Sequence, residues 1–424
     1  MKRSIGTGAG WVLVGNVGYS AFQYGLLMAI AKVGTAADVG RFALGLAIAA
    51  PVFMLTNLQL RAALVTDARR EHPVGGYLVL RLIGSFVAVL MIAGVGLSYD
   101  RMAGTIIVLV GLAKSIEAAG DILQGLLQRS EQFRRMTASL LARGAGSLAI
   151  VGVVLFATSS LALAVVGLAL VWAGVLVAID LRAARRIDSL RPSTTLPALG
   201  ELVRVTLPLG VVACLGSLIA NVPRYAVENH LGPAALGHFA AMAYLMVAAT
   251  QPLLALGMAA SPRLASAYAR DVSEYRQLTG TLLMVAVGLG IAVAIFTLLI
   301  GPSVLAMAFS AEYATHASVL RWLGLATGLA CVGNMLGCAL TGARRFTSQL
   351  WFAIIALACS WIAAQILVPS HGLIGAAWAV IAAELARLVC FGVYYAALLR
   401  APLPSAARFH DVETAEDQRA IAIV

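Results

Sequence analysis

Long apolar runs separated by short polar segments fill the chain from one end to the other. A helix needs about 20 apolar residues to cross the hydrocarbon core of a bilayer. Twelve runs approach or exceed that length, at about 11–32, 42–60, 77–98, 103–127, 138–158, 160–181, 203–226, 237–260, 277–300, 318–341, 349–368 and 373–398. The pattern predicts an all-α integral membrane protein. The first run ends at Ala29-Ile30-Ala31, which has the small-x-small look of a signal-peptide cleavage site. It is long enough to span, and its removal would leave an odd number of helices, so we read it as an uncleaved first span.

Composition narrows the class further. Hydrophobic residues make up 61% of the 424 positions and charged residues 12%, against about 25% charged in soluble domains; the mean hydropathy is +0.92. A water-soluble enzyme, a nucleic-acid-binding protein and a disordered scaffold are excluded on that ground. The net charge of +11 reads as topology. With the N-terminus inside, 21 of the 30 lysines and arginines fall on the cytoplasmic side, and only Lys32, Arg41 and Arg101 lie outside. Cytoplasmic loops are enriched in basic residues, so both termini are predicted to be cytoplasmic.

The segment 182–202, with four arginines, Pro192 and Pro197, is the longest loop between spans on that side and lies near the middle of the chain. It predicts a six-helix lobe over 1–190, a cytoplasmic linker over 191–202, a second six-helix lobe over 203–399 and a cytoplasmic tail over 400–424. Internal repetition supports the division. Gly34-Thr35-Ala36-Ala37 followed by Gly40-Arg41-Phe42-Ala43 returns as Gly232-Pro233-Ala234-Ala235 followed by Gly237-His238-Phe239-Ala240. The next span carries an interior proline in each half, Pro51 and Pro252. Proline removes a backbone hydrogen bond and kinks a helix, and paired interruptions in two halves point to a transporter's central site.

Few residues remain for chemistry. The six histidines lie in loops, at span ends or in the tail, and the five cysteines (Cys214, Cys331, Cys338, Cys359, Cys390) lack metal-ligand spacing. No GxSxG, HExxH or Walker sequence occurs. We expect no enzyme activity, no metal and no cofactor.

Charge inside spans costs about 2.5–3.5 kcal/mol per central residue on insertion scales. Arg81, Arg143, Arg224 and Arg321 lie near span ends, where a head group can snorkel to the interface or line a cavity. Lys114, Glu117 and Asp121 share one face of the fourth span, and Glu384 and Arg387 are central in the twelfth. Spacing of three residues lets each pair neutralise itself. Two readings stay open: structural ion pairs between helices, or a polar cavity wall. On the second, Lys114, Arg143, Arg224, Arg321 and Arg387 are substrate candidates, while Glu117, Asp121 and Glu384 are candidates for ion coupling.

The segment Asp38 to Pro51 with Leu60-Arg61 and Val65-Thr66-Asp67 resembles the opening of polysaccharide-exporting flippases. Asn221-Val222-Pro223-Arg224-Tyr225, Leu231-Gly232 and Leu236-Gly237-His238-Phe239 are similar to that family's seventh and eighth spans. These are the O-antigen (lipid-linked oligosaccharide) flippases of the multidrug/oligosaccharidyl-lipid/polysaccharide exporter superfamily. The resemblance implies two lobes in a V around a central cavity, alternating access, and a bacterial cytoplasmic membrane. It implies a cargo of oligosaccharide on undecaprenyl diphosphate, with Arg224 placed by the family's Pro-Arg-Tyr pattern. Membrane lipids, a polysaccharide polymerase and glycosyltransferases are the implied partners. An ion-coupled drug antiporter of the same superfamily is the alternative, and a membrane-embedded polymerase or glycosyltransferase a further one.

Overall fold

The computed structural model describes residues 5–67, 72–191, 195–343 and 345–400. Lys2, Arg3, Arg69, Arg70, Pro192, Arg344 and the tail from 401 onward lie outside the described residues. Among the described residues the structure is helical, with no strand.

The helices are α1 (Ile5–Val33), α2 (Ala36–Thr56), α3 (Leu60–Thr66), α4 (Val74–Gly96), α5 (Arg101–Arg129), α6 (Phe133–Thr158) and α7 (Leu161–Val175). A π-helical stretch, Leu176–Leu181, leads from α7 into the short α8 (Arg182–Ala184). Then follow α9 (Leu196–Arg270), α10 (Val272–Leu299), α11 (Gly301–Ala308), α12 (Ala311–Ala314), α13 (Ala317–Gly342) and α14 (Phe346–Arg400). Among the described residues, eight helical segments are long and apolar enough to cross a membrane, α9 and α14 among them. Both of these are broken inside, α9 at Gly232 (φ 82°) and α14 at Gly372 (φ 60°). Positive φ is open to glycine without steric cost, so each glycine separates two predicted spans.

Short polar residues set where helices begin. Thr35 and Asp38 form a capping box at the start of α2: the Asp38 amide donates to Thr35 Oγ1 and the Thr35 amide to Asp38 Oδ2. Asp100 accepts from the Met102 and Ala103 amides at the start of α5, and Ser160 and Asp271 cap α7 and α10. Leu58 and Gln59, both at positive φ, turn the chain from α2 into α3.

The chain divides into two compact units, Met1–Ala241 with Ala308–Ser310, and Met242–Met307 with Ala311–Val424. In the first, Leu60, Leu64, Tyr77, Ile122 and Leu126 form a buried cluster beneath α3, α4 and α5. The same unit packs the first part of α9 along α2. Gly210 approaches the backbone of Leu55 and Leu58, so that an added Cβ would sit 3.0–3.1 Å from it. In the second unit Leu264, Tyr268, Tyr275, Met335 and Ala339 are the core, and the Tyr275 hydroxyl donates to the Ala339 carbonyl at 2.9 Å.

At the end of the first unit predicted to face outward, Glu228 lies near Asp100, Arg41 and Tyr99. Its Oε2 is buried without a hydrogen bond among the described residues. Burial raises the Glu228 carboxyl above its ordinary value and Asp100 adds to this, while Arg41 opposes both. The folded protein therefore prefers neutral Glu228. Its contribution to stability is complete at low pH and is lost as pH rises through the raised value. Glu228→Gln should raise the melting temperature of the purified protein at neutral pH and above, and leave it unchanged in acid. A melting curve with the same pH dependence as wild type would refute this.

Candidate functional site

The charged face of α5 is the centre of the polar interior of the first unit. Lys114 and Glu117 pair along the helix, Nζ to Oε2 at 2.6 Å. The Tyr19 hydroxyl on α1 donates to Glu117 Oε1 at 2.8 Å, and Gln23 Nε2 donates to that hydroxyl at 2.7 Å. Arg143 on α6 brings Nη1 to 3.9 Å from Glu117 Oε1. Its Nη2 donates to Asp180 Oδ2 at 3.1 Å. Asp180 is fully buried and Arg143 is 2% exposed. One carboxylate network thus ties α1, α5, α6 and the end of α7 together.

Two local features make this arrangement fit. Asp180 sits in the π-helical stretch after α7, where wider turns re-aim a side chain and which recurs at functional sites. Gly120 faces the ion pair from α5. A Cβ there would lie 2.8 Å from Arg143 Nη2 and 3.4 Å from Asp180 Oδ2. Behind the network, Lys114 Nζ stands 5.5 Å from the centre of the Trp172 ring, a cation–π distance. Trp172 Nε1 donates to Ser147 Oγ, which donates to the Arg143 carbonyl. The group holds two cations and two anions and is internally neutral, the form in which buried charge is tolerated.

Asp121, one turn further along α5, belongs to a second cluster. Arg61 Nη1 donates to its Oδ1 at 2.9 Å and Arg81 Nη2 to its Oδ2 at 3.2 Å. Arg61 also donates to Gln128 Oε1 at 2.9 Å. Arg81 is 1% exposed, and Arg143 is almost as deeply enclosed. Neither reaches outward to an interface, so the snorkelling reading of these two is corrected: each has a carboxylate partner within the unit.

In the second unit Arg387 Nη2 donates to Glu384 Oε2 at 2.5 Å and to the Ala330 carbonyl at 3.4 Å. Gly333 on α13 makes room, since a Cβ there would come within 3.2 Å of the guanidinium. Arg321 is exposed on the same helix. Arg224, in the first unit, is buried and donates to Asn221 Oδ1 at 2.7 Å. Pro51 is buried within α2, and Pro252 is exposed within α9. Tyr19, Gln23, Asp180 and Trp172 escaped the reading of the sequence. Asp180 carried a signal, as a carboxylate at the end of an otherwise apolar span.

No protein-family profile matches the chain. It is 23% identical over 388 residues to the capsular polysaccharide biosynthesis protein CapF of Staphylococcus aureus, covering 91% of this chain and 98% of that protein. Among solved structures it is similar to an inward-facing multidrug resistance MATE family transporter of the MOP superfamily (TM-score 0.69, 18% identity, 90% of this chain and 95% of that one). An outward-facing MATE transporter gives 0.65 at 17% identity over 92% and 94%. A MOP superfamily transporter from Pyrococcus furiosus, described as having a binding pocket of reverse polarity, gives 0.65 at 19% over 92% and 95%. The chain has the fold of these multi-pass transporters.

Removing one member of the buried pair leaves the other charged and unpaired, at a cost of about 3–5 kcal/mol. Asp180→Leu should therefore sharply lower the melting temperature, and Arg143→Met with Asp180→Leu should recover most of it. A double variant as unstable as the single one would refute the pairing. Gly120→Val, which drives a side chain into the same pair, should destabilise the protein by about 1–3 kcal/mol by overpacking; unchanged melting would count against the geometry.

Proposed function

We propose that this protein is a flippase that moves undecaprenyl-diphosphate-linked oligosaccharide from the inner to the outer leaflet of a bacterial cytoplasmic membrane by alternating access. On this reading the chain has twelve spans, in six-span lobes over 1–190 and 203–399, and both termini are cytoplasmic. The observation that carries it is the coincidence of a transporter fold with a relative over 91% of the chain that is named for capsular polysaccharide biosynthesis. The chemistry of the chain agrees. An anionic diphosphate calls for cationic groups; on this reading Arg224 and the exposed Arg321 are the first candidates, whereas Lys114, Arg143 and Arg387 are held by carboxylates and would meet cargo only where those pairs part.

The drug antiporter of the same fold is the competing reading, favoured by the multidrug transporters among its structural neighbours. Binding a cationic drug calls for an acid free to receive it. Glu117 and Asp121 instead face Lys114, Arg61 and Arg81 at 2.6–3.2 Å, and Glu384 faces Arg387.

Deletion in a strain without redundant flippases should abolish surface polysaccharide and accumulate lipid-linked repeat units on the inner leaflet. Wild type should restore export, and Arg224→Glu should not, at equal membrane abundance. Normal outer-leaflet delivery in the deletion strain would overturn the proposal. Drug sensitivity with unaltered polysaccharide would favour the antiporter.

A further inference from the structure

Proline at position 51 has a consequence that reaches outside its own helix. With no amide hydrogen, Pro51 leaves the carbonyl of Ala47, four residues back, without its helical donor. In hydrocarbon such a group needs another partner. The Tyr225 hydroxyl provides it, donating to the Ala47 carbonyl at 2.5 Å. Tyr225 lies on the seventh predicted span and Pro51 on the second, so the carbonyl freed in one half is bonded by a side chain of the other.

A second contact joins the same parts of the chain nearby. A Cβ on Gly40 would overlap the Pro233 carbonyl, and one on Gly237 would overlap the Ala36 carbonyl. The two glycines also face each other's amide nitrogens, at 3.0 and 3.1 Å from the added Cβ. The crossing is reciprocal. Gly40 and Gly237 occupy corresponding positions of the repeated motif, so the motif meets its own copy at these two glycines. Only glycine allows backbones this close, and the start of each repeated helix is thereby the surface that receives its counterpart. Both contacts lie toward the end predicted to face outward.

We propose that the reciprocal Gly40–Gly237 crossing, latched by the Tyr225–Ala47 hydrogen bond, is the closed form of an outer gate and parts whenever the pathway opens outward. The proposal rests on the transport reading. It assigns Tyr225 as a positioning residue that acts through the backbone of α2 and needs no contact with cargo.

Spin labels at Val33→Cys and Ala234→Cys, both on exposed sites flanking the crossing, test it in a cysteine-free background reconstituted into nanodiscs. Gly40→Leu wedges the crossing and should shift the label pair to a longer distance. Tyr225→Phe keeps the ring and removes the latch; losing one hydrogen bond should raise the longer-distance population roughly fivefold. Joining the two cysteines with a reducible cross-linker should stop transport, and reduction should restore it.

Unchanged distances in both variants, or full transport by the cross-linked protein, would overturn the proposal. Tyr225→Phe and the cross-link remain decisive should Gly40→Leu fail to fold. The distances are read without cargo. If the wild type moved no lipid-linked oligosaccharide while the two variants still showed the longer distance, the flippase reading alone would fail.

Discussion

The interior of a bilayer offers no solvent to a polar group, so each charge and each freed backbone group on these helices requires a partner from the protein. That requirement organises the first unit. Glu117 is met by Lys114 and Tyr19, with Arg143 close by. Arg143 is met by Asp180, and Asp121 by Arg61 and Arg81. Pairing between helices fixes which faces of α1, α4, α5, α6 and α7 turn toward one another. Apolar packing alone is a weak selector there, since lipid tails are as apolar as the side chains. Small residues then decide how closely the faces approach. Gly120 admits the Arg143–Asp180 pair, as Gly333 admits Arg387 in the second unit.

The same constraint explains why proline and glycine carry so much of the architecture. Pro51 sits in the last third of α2 and the helix continues to Thr56, with the carbonyl that the proline leaves free bonded by Tyr225. Gly232 and Gly372, each at positive φ, divide α9 and α14 between predicted spans. In the repeated segment, Gly40 and Gly237 serve packing, since they lie where two main chains touch.

How much of this was legible beforehand follows from the range of the forces involved. Span positions depend on local hydropathy, and predicted runs lie mainly on helix, as at 138–158 within α6 and 277–300 largely within α10, while the run 42–60 crosses the turn between α2 and α3. The pairs Lys114–Glu117 and Glu384–Arg387 were legible too, since three-residue spacing is a local property of a helix. Partners brought together by tertiary packing were not. Arg61 reads in the sequence as one more basic residue of a cytoplasmic segment, and only the return of α5 past α3 sets it against Asp121, 60 positions away. Asp180 needs the π-helical stretch to reach Arg143, and hydropathy carries no trace of that turn. Tyr225 lies 178 positions from Ala47; the missing amide of Pro51 announces that a donor is needed but not which one.

Reciprocal pairing also governs what substitutions can reveal about function. In a network where Glu117 faces Lys114, Tyr19 and Arg143, neutralising any one member strands the others, and loss of activity then reports the stranded charge as much as a lost contact with cargo. Glu384 and Arg387 are the simpler case, with one partner each among the ion pairs and a carbonyl as the second acceptor. Exchanging their positions keeps the pair and its neutrality while moving the cation by nearly one helical turn. A protein that folds with the pair exchanged yet no longer transports would assign Arg387 to the cargo. One that folds and transports would assign the pair to the helix interface. Charge inversion within a pair therefore separates the two roles that single replacements confound.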